Sequence, residues 1–187
     1  MKIYQEIRDL YLYRPLSYFD SFIEKETIAG VPHSEYLRIP VHTGNCVAIL
    51  MIWGINGGTA IHGHGGIEGT VIVIKGTVRE ERYEFNGKDI ELISSRIHRP
   101  GEILEEDIGT IHAIINQNDT LSVTLHIYNT DKNTLAGTVM YDSENKRIGI
   151  LNDLAKSTSW KEDPKAFQAI IPFDQYFPKK MSVPHTI

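Results

Sequence analysis

Residues 46–53 read CVAILMIW, an apolar run with no polar interruption, whereas residues 121–128 read LSVTLHIY, in which apolar and polar positions alternate. The first pattern suits a strand buried on both faces, the second a strand whose two faces meet different surroundings. Further β-branched or aromatic-rich stretches lie at 35–41 (EYLRIPV), 70–75 (TVIVIK), 77–85 (TVREERYEF), 89–98 (DIELISSRIH) and 110–116 (TIHAIIN), and each is predicted as a strand. Gly44-Asn45, Lys75-Gly76, Asn86-Gly87 and Asn118-Asp119 punctuate them, with Asn86-Gly87 the strongest hairpin signal. Short strands at this spacing predict an antiparallel sandwich or barrel.

The first thirty residues follow a different period. Ile3, Ile7, Leu10 and Tyr11 recur at helical spacing, and Pro15 ends that helix. Ser17 with Asp20 opens a second helix, with Phe19, Phe22 and Ile23 on its buried side and Gly30 and Pro32 at its end. Residues 151–187, including SWKEDPKAFQAIIPFDQYF, show no clear period and are expected to pack on the barrel. The expected organisation of the 187 residues is one domain: short N-terminal helices (1–30), a β-barrel (35–150) and a C-terminal segment (151–187).

Composition narrows the function classes. The net charge of -5 is mild and no block of like charges occurs, so neither a nucleic-acid partner nor a membrane-surface patch is expected. The longest apolar run is too short to span a bilayer, and Glu6 and Asp9 interrupt any export signal. Cys46 is the only cysteine, which excludes an internal disulfide and points to a reducing cytoplasm. A monomer is expected.

Of the eight histidines, His33, His42, His98 and His185 sit near turns or at polar positions and read as surface imidazoles. His62 and His64, in GTAIHGHGGIEG, are an i, i+2 pair, so on a strand both rings point to one face. The flanking glycines leave room beside them. His112 follows roughly fifty residues later in GTIHAIIN, with Gly109, His112 and Asn116 spaced G-x2-H-x3-N. Together these predict a metal site of three neutral imidazoles, with coordination positions left open. The ordered pair of motifs resembles the cupin family, which implies a mainly β, jelly-roll-like antiparallel barrel. Many cupins add a glutamate ligand, and the spacing from His64 to Glu68 permits one here.

The polar face of LSVTLHIY carries Ser122, Thr124, His126 and Tyr128, groups able to hydrogen-bond in series. Thr-x-His-x-Tyr after a three-histidine site resembles the cysteine dioxygenase family of thiol dioxygenases. The likeness runs through YLR (36–38), Trp53-Gly54, the His62/His64 pair, GTIHAIIN, LSVTLHIY and AGTVMYDSENKRIG, about residues 35–150. It implies that His62, His64 and His112 hold Fe(II), that Thr124, His126 and Tyr128 form the catalytic triad, with threonine in the serine's place, and that Arg38 binds the substrate carboxylate. It implies oxidation of a small thiol, foremost L-cysteine, by O2 to a sulfinic acid, and it leaves Glu68 as a solvated carboxylate. Three positions depart from the family pattern: the usual HDH is His-Gly-His, Ile39-Pro40 follow Arg38, and the cysteine that animal members crosslink to tyrosine is Gly69, so Tyr128 is expected unmodified. The alternatives are a different metal-dependent cupin enzyme, such as an isomerase or a dioxygenase of another thiol (3-mercaptopropionate), and a non-catalytic cupin that binds a small ligand.

Overall fold

A computed structural model describes residues 2–31 and 35–176. Pro32, His33, His185 and the C-terminal segment beyond 176 lie outside the described residues, as does the side chain of Ile3. Helix α1 (Lys2–Leu12), a 3-10 turn (Leu16–Phe19) and helix α2 (Asp20–Ala29) precede β1 (Tyr36–His42), β2 (Val47–Trp53), β3 (Ile61–Gly63), β4 (Gly69–Lys75), β5 (Val78–Phe85), β6 (Ile90–His98), β7 (Ile103–Glu106), β8 (Ile111–Ile115), β9 (Ser122–Tyr128), β10 (Val139–Asp142), β11 (Arg147–Leu151) and β12 (Phe167–Pro172). The strands form two sheets, one of five in the order β1-β2-β9-β4-β7 and one of seven in the order β12-β11-β10-β3-β8-β5-β6. Every named strand pair is antiparallel.

Three apolar layers hold the sheets in place. Between them pack Val47, Ile49, Met51 and Trp53 of β2, Val71 and Val73 of β4, Leu104 of β7, Val78 of β5 and Ile114 of β8. The outer face of the five-stranded sheet presents Ala48, Leu50, Ile52, Ile72, Ile74, Val123, Leu125 and Ile127 to Tyr4, Tyr11, Phe19 and Ile23 of the N-terminal helices. On the far face of the other sheet, Tyr141, Ile148 and Phe173 pack with Ile61, Phe85 and Ile111. Burial of this kind contributes about 25 cal/mol per Å² of apolar surface removed from water.

The helix cover explains both opening patterns. All seven residues of β2 are buried, because its outward side chains meet the helices and its inward ones meet the second sheet. In β9, Val123, Leu125 and Ile127 face the helices, so the polar set turns into the barrel rather than toward water. The stripe of α1 that docks is Tyr4, Ile7 and Tyr11. Leu10, expected on that stripe, is 47 % exposed.

The C-terminal segment does more than pack on the barrel: β12 extends the seven-stranded sheet by pairing with β11. Pro40 sits in β1, at the edge of its sheet, and the ladder shifts between Pro40 and His42. A proline without an N–H is tolerated at such an edge, and Arg38 lies in the regular part of the ladder. Among the described residues no helix is long and apolar enough to cross a membrane.

Candidate metal centre

His62 on β3 and His112 on β8 are direct cross-strand partners, and His64 follows one residue after β3 ends. One ligand atom from each of the three comes within 4.8 Å of the others. His64 Nε2 is 3.1 Å from His62 Nε2 and 3.3 Å from His112 Nε2. Nitrogens about 2.0–2.1 Å from a common ion, at octahedral or tetrahedral angles, stand about 2.8–3.4 Å apart, so the spacing about His64 fits a divalent cation.

The outer ring nitrogens fix two of the tautomers. His62 Nδ1 donates to Ala60 O at 3.0 Å, and His112 Nδ1 donates to Glu80 Oε1 at 3.3 Å. Both rings then turn an Nε2 lone pair inward. Glu80 is itself held by Arg82 Nε at 3.1 Å. It also lies 3.5 Å from His98 Nε2. His98, expected at the surface, is 3 % exposed. Its ring closes over the Glu80 carboxylate at the end of the β5–β6 hairpin, which is why a position read as polar edge is interior.

A second buried carboxylate, Glu106 at the end of β7, faces the triad. Its Oε2 is 3.1 Å from His64 Nδ1 and its Oε1 is 3.4 Å from His112 Nε2. Burial pushes this carboxyl up, but His64 and His112 beside it overcome that and hold it well below the usual range. The sequence reading missed it, although a signal was present. In ILEE, Leu104 and Glu106 share the inward positions, and the neighbouring glutamates of EILEED disguised the one that turns in. Glu68 is half-buried and accepts a hydrogen bond from Asn129 Nδ2 at 2.7 Å, outside the histidine group.

The polar face of β9 forms the expected series. Trp53 Nε1 donates to Thr124 Oγ1 at 2.9 Å. Thr124 Oγ1 lies 2.8 Å from His126 Nε2, and His126 Nδ1 lies 3.0 Å from Tyr128 Oη. Tryptophan can only donate. Thr124 therefore accepts from it and, having no other acceptor among the described contacts, donates its own hydroxyl hydrogen bond to His126 Nε2. His126 then donates from Nδ1 to Tyr128 Oη, which leaves the phenol hydrogen free for the cavity. Burial pushes the His126 pKa down to about 3, consistent with a neutral ring, and raises that of Tyr128 well above its ordinary value. The Tyr128 ring meets His64 edge to face at 5.2 Å. Gly69 pairs with Tyr128 across the β4–β9 ladder, and a Cβ at Gly69 would fall 2.8 Å from the tyrosine ring and 3.0 Å from Glu106 Oε2.

His62, His64, His112, His126 and Tyr128 line one cavity of about 60 Å³ together with Arg38, Val47, Ile49, Met51 and Leu135. A water needs about 10–15 Å³ on this measure, so the space suits a molecule of a few heavy atoms. Arg38 is half-buried and has no ion-pair partner among the described residues. Asn116, the last residue of the G-x2-H-x3-N motif, is a tie rather than a ligand. Its Nδ2 donates to Gly54 O and Thr120 O, and its Oδ1 accepts from Ser122 Oγ.

No family model matches the chain. A sugar phosphate isomerase of the cupin superfamily from Silicibacter pomeroyi shares its fold with a TM-score of 0.51, at 14% identity, over 78% of this chain and 85% of that one. The fold is a cupin fold. Other cupin-like structures match less of the chain. A Klebsiella pneumoniae protein with a double-stranded β-helix domain has a TM-score of 0.47 at 20% identity, over 59% of this chain and 82% of that one. An oxalate oxidase in complex with glycolate has a TM-score of 0.46 at 18% identity, over 59% and 57%. Within this cupin barrel the three histidines sit on the interior face, where they can hold a metal ion.

Acid should unfold the metal-free protein through these buried groups. The folded pKa of His126 is depressed to about 3 from an ordinary value near 6.5, and His62 is depressed in the same sense. Between those values the unfolded chain binds protons that the folded chain refuses. For His126 that stability is complete above about pH 6.5 and is lost as the pH falls toward 3, at about 1.4 kcal/mol per unit. The melting temperature is expected to fall several degrees between pH 7 and pH 5, and His126→Gln should flatten that slope. A melting temperature independent of pH over this range would contradict a neutral buried His126.

Proposed function

We propose that the chain is an iron(II)-dependent thiol dioxygenase acting on a small carboxylate-bearing thiol, foremost L-cysteine. The observation that carries this reading is the proton order from Trp53 through Thr124 and His126, which leaves the Tyr128 hydroxyl donating into the cavity beside the three histidines. A ferrous ion held by His62, His64 and His112 would supply a place where thiolate and dioxygen meet. Arg38 receives the carboxylate through a planar, two-point contact. Tyr128 donates a hydrogen bond to the reacting group, and His126 and Thr124 keep the phenol in place. Val47, Ile49 and Met51 exclude water from the wall behind it. The reaction balances as RSH + O2 → RSO2H, both oxygen atoms passing to sulfur. In this reading the protein acts as a cytoplasmic monomer.

The deciding experiment is anaerobic loading with Fe(II), followed by oxygen uptake with cysteine, 3-mercaptopropionate, cysteamine and mercaptosuccinate in turn. Uptake matched by sulfinate formation supports the reading. Retained iron with no thiol-dependent uptake would favour a non-catalytic ligand binder. Glu106, a carboxylate within 3.4 Å of two of the histidines, favours a second reading as a different metal-dependent cupin enzyme, and uptake without sulfinate would point there. Tyr128→Phe removes one donor and keeps the ring. It should retain iron and thiol binding while turnover drops roughly tenfold, the worth of one hydrogen bond made in the transition state. Unchanged turnover would remove Tyr128 from the chemistry.

A further inference from the structure

We infer that Lys132 gives the cavity a second anion-receiving point, so that a thiol bearing two carboxylates is held more tightly than the same thiol bearing one. The inference rests on the thiol reading of the cavity and on Arg38 as the receiver of the first carboxylate.

The cavity takes its charge from few residues. Arg38 and Lys132 both line it, and no aspartate or glutamate is among the described residues that do. Lys132 is exposed, so it stands where the cavity opens to solvent. Like Arg38, it makes no ion pair among the described residues. Asp131, its neighbour in sequence, is exposed and does not line the cavity. A single carboxylate answers one of the two cations. A second carboxylate on the same small molecule answers the other, and the lining offers no acidic group to repel it.

The chain places Lys132 there by fixing the turn that follows β9. Directly after Tyr128, Asn129 N donates to Glu68 O at 3.0 Å and Asn129 Nδ2 donates to Glu68 Oε1 at 2.7 Å. Thr130 N then donates to Tyr128 O at 2.9 Å, and Lys132 N donates to Thr130 Oγ1 at 3.2 Å. Further on, Thr134 Oγ1 donates to Asp153 Oδ1 at 2.9 Å and accepts from Ala136 N at 3.1 Å. The loop is thus tied on both sides of Lys132. The hydroxyls of Thr130 and Thr134, which also line the cavity, are engaged in tying it. The Lys132 ammonium is the cationic group of this loop left for a ligand. An ammonium on a flexible stem suits a carboxylate at the rim, whereas the planar guanidinium of Arg38 suits one held inside. The enclosed volume of about 60 Å³ then has to hold only the thiol-bearing end and the first carboxylate.

The test compares mercaptosuccinate with 3-mercaptopropionate, which differ by one carboxylate. Both are titrated anaerobically by calorimetry into the full-length protein loaded with Fe(II), and oxygen uptake is measured separately. Lys132→Gln and Lys132→Arg are run beside the parent, and thermal melting verifies the fold of each. The parent should bind mercaptosuccinate about fivefold more tightly, the upper worth of an exposed ion pair. Lys132→Gln should bring that ratio close to one, and Lys132→Arg should keep it. High salt should shrink the ratio in the parent, because the ammonium is open to screening ions. Equal binding of the two thiols by the parent overturns the inference, as does a preference that Lys132→Gln or high salt leaves intact. A Lys132-dependent preference without oxygen uptake upholds the inference and removes only the dioxygenase reading. Oxygen uptake with a binding ratio of one removes the inference and leaves the dioxygenase reading standing. Absence of anaerobic binding by either thiol overturns both.

Discussion

His112→Ala is expected to lower metal affinity by at least a hundredfold while leaving the barrel folded. Loss of a group that merely orients a ligand typically costs 10- to 100-fold, and His112 offers one of the three nitrogens that could hold the ion itself. It is fully buried, and its Nε2 stands 3.3 Å from that of His64. The strand it occupies is held independently, by β3 on one side and β5 on the other. Substitution does leave Glu80 without its imidazole, although Arg82 still reaches that carboxylate at 3.1 Å. A modest drop in melting temperature should therefore accompany the loss of metal. Equilibrium dialysis against Fe(II) or Co(II), with circular dichroism on the same samples, separates the two effects. Full occupancy in the folded variant would remove His112 from the site.

The histidine cluster was legible in the sequence because its logic is local. Two of its members lie two residues apart, and the third lies inside a recognisable spacing. The β9 series was legible for the same reason, since strand alternation places Thr124, His126 and Tyr128 in one row. Periodicity could not say which side of β9 faces water, because that depends on the N-terminal helices covering Val123, Leu125 and Ile127. β7 and β10 escaped because each has four residues, β11 because a glycine interrupts it, and β12 because FQAIIP lies between polar, proline-containing stretches that hide its period. β11, for example, reads RIGIL and is defined by its neighbours as much as by its own residues. Glu80 and Glu106 escaped for a related reason. Each is one glutamate among several in sequence, and only strand register decides which of them turns toward an imidazole. His98 was misplaced because a histidine at the end of a polar hairpin strand gives no sign that Glu80 and Glu102 enclose it.

Arg38→Ala should cut kcat/KM for cysteine at least 30-fold and leave cysteamine nearly untouched. The expectation follows from the place of Arg38 in the β1–β2 ladder. It pairs with Met51, an inward residue of β2, and cross-strand partners project to the same face. The shift in register comes after it, between Pro40 and His42, so the unusual Ile39-Pro40 does not turn Arg38 away from the cavity it lines. A half-buried guanidinium without an acidic partner among the described residues is a cation awaiting an anion. It lies close enough to add to the lowering that burial imposes on His126 and to offset part of the rise that burial imposes on Tyr128. A substrate carboxylate entering this cavity loses water and regains a charge-assisted pair. Removing the cation leaves that carboxylate buried and unpaired, a loss of about 2–5 kcal/mol, which is where the 30-fold minimum comes from. Cysteamine has no carboxylate and loses nothing by the substitution. The comparison therefore carries its own control: a variant damaged in fold or in metal binding would lose both substrates together. If the unmutated protein turns over cysteine and cysteamine equally, Arg38 does not select the substrate. The cavity would then be a site for small thiols in general rather than for those bearing an acid group.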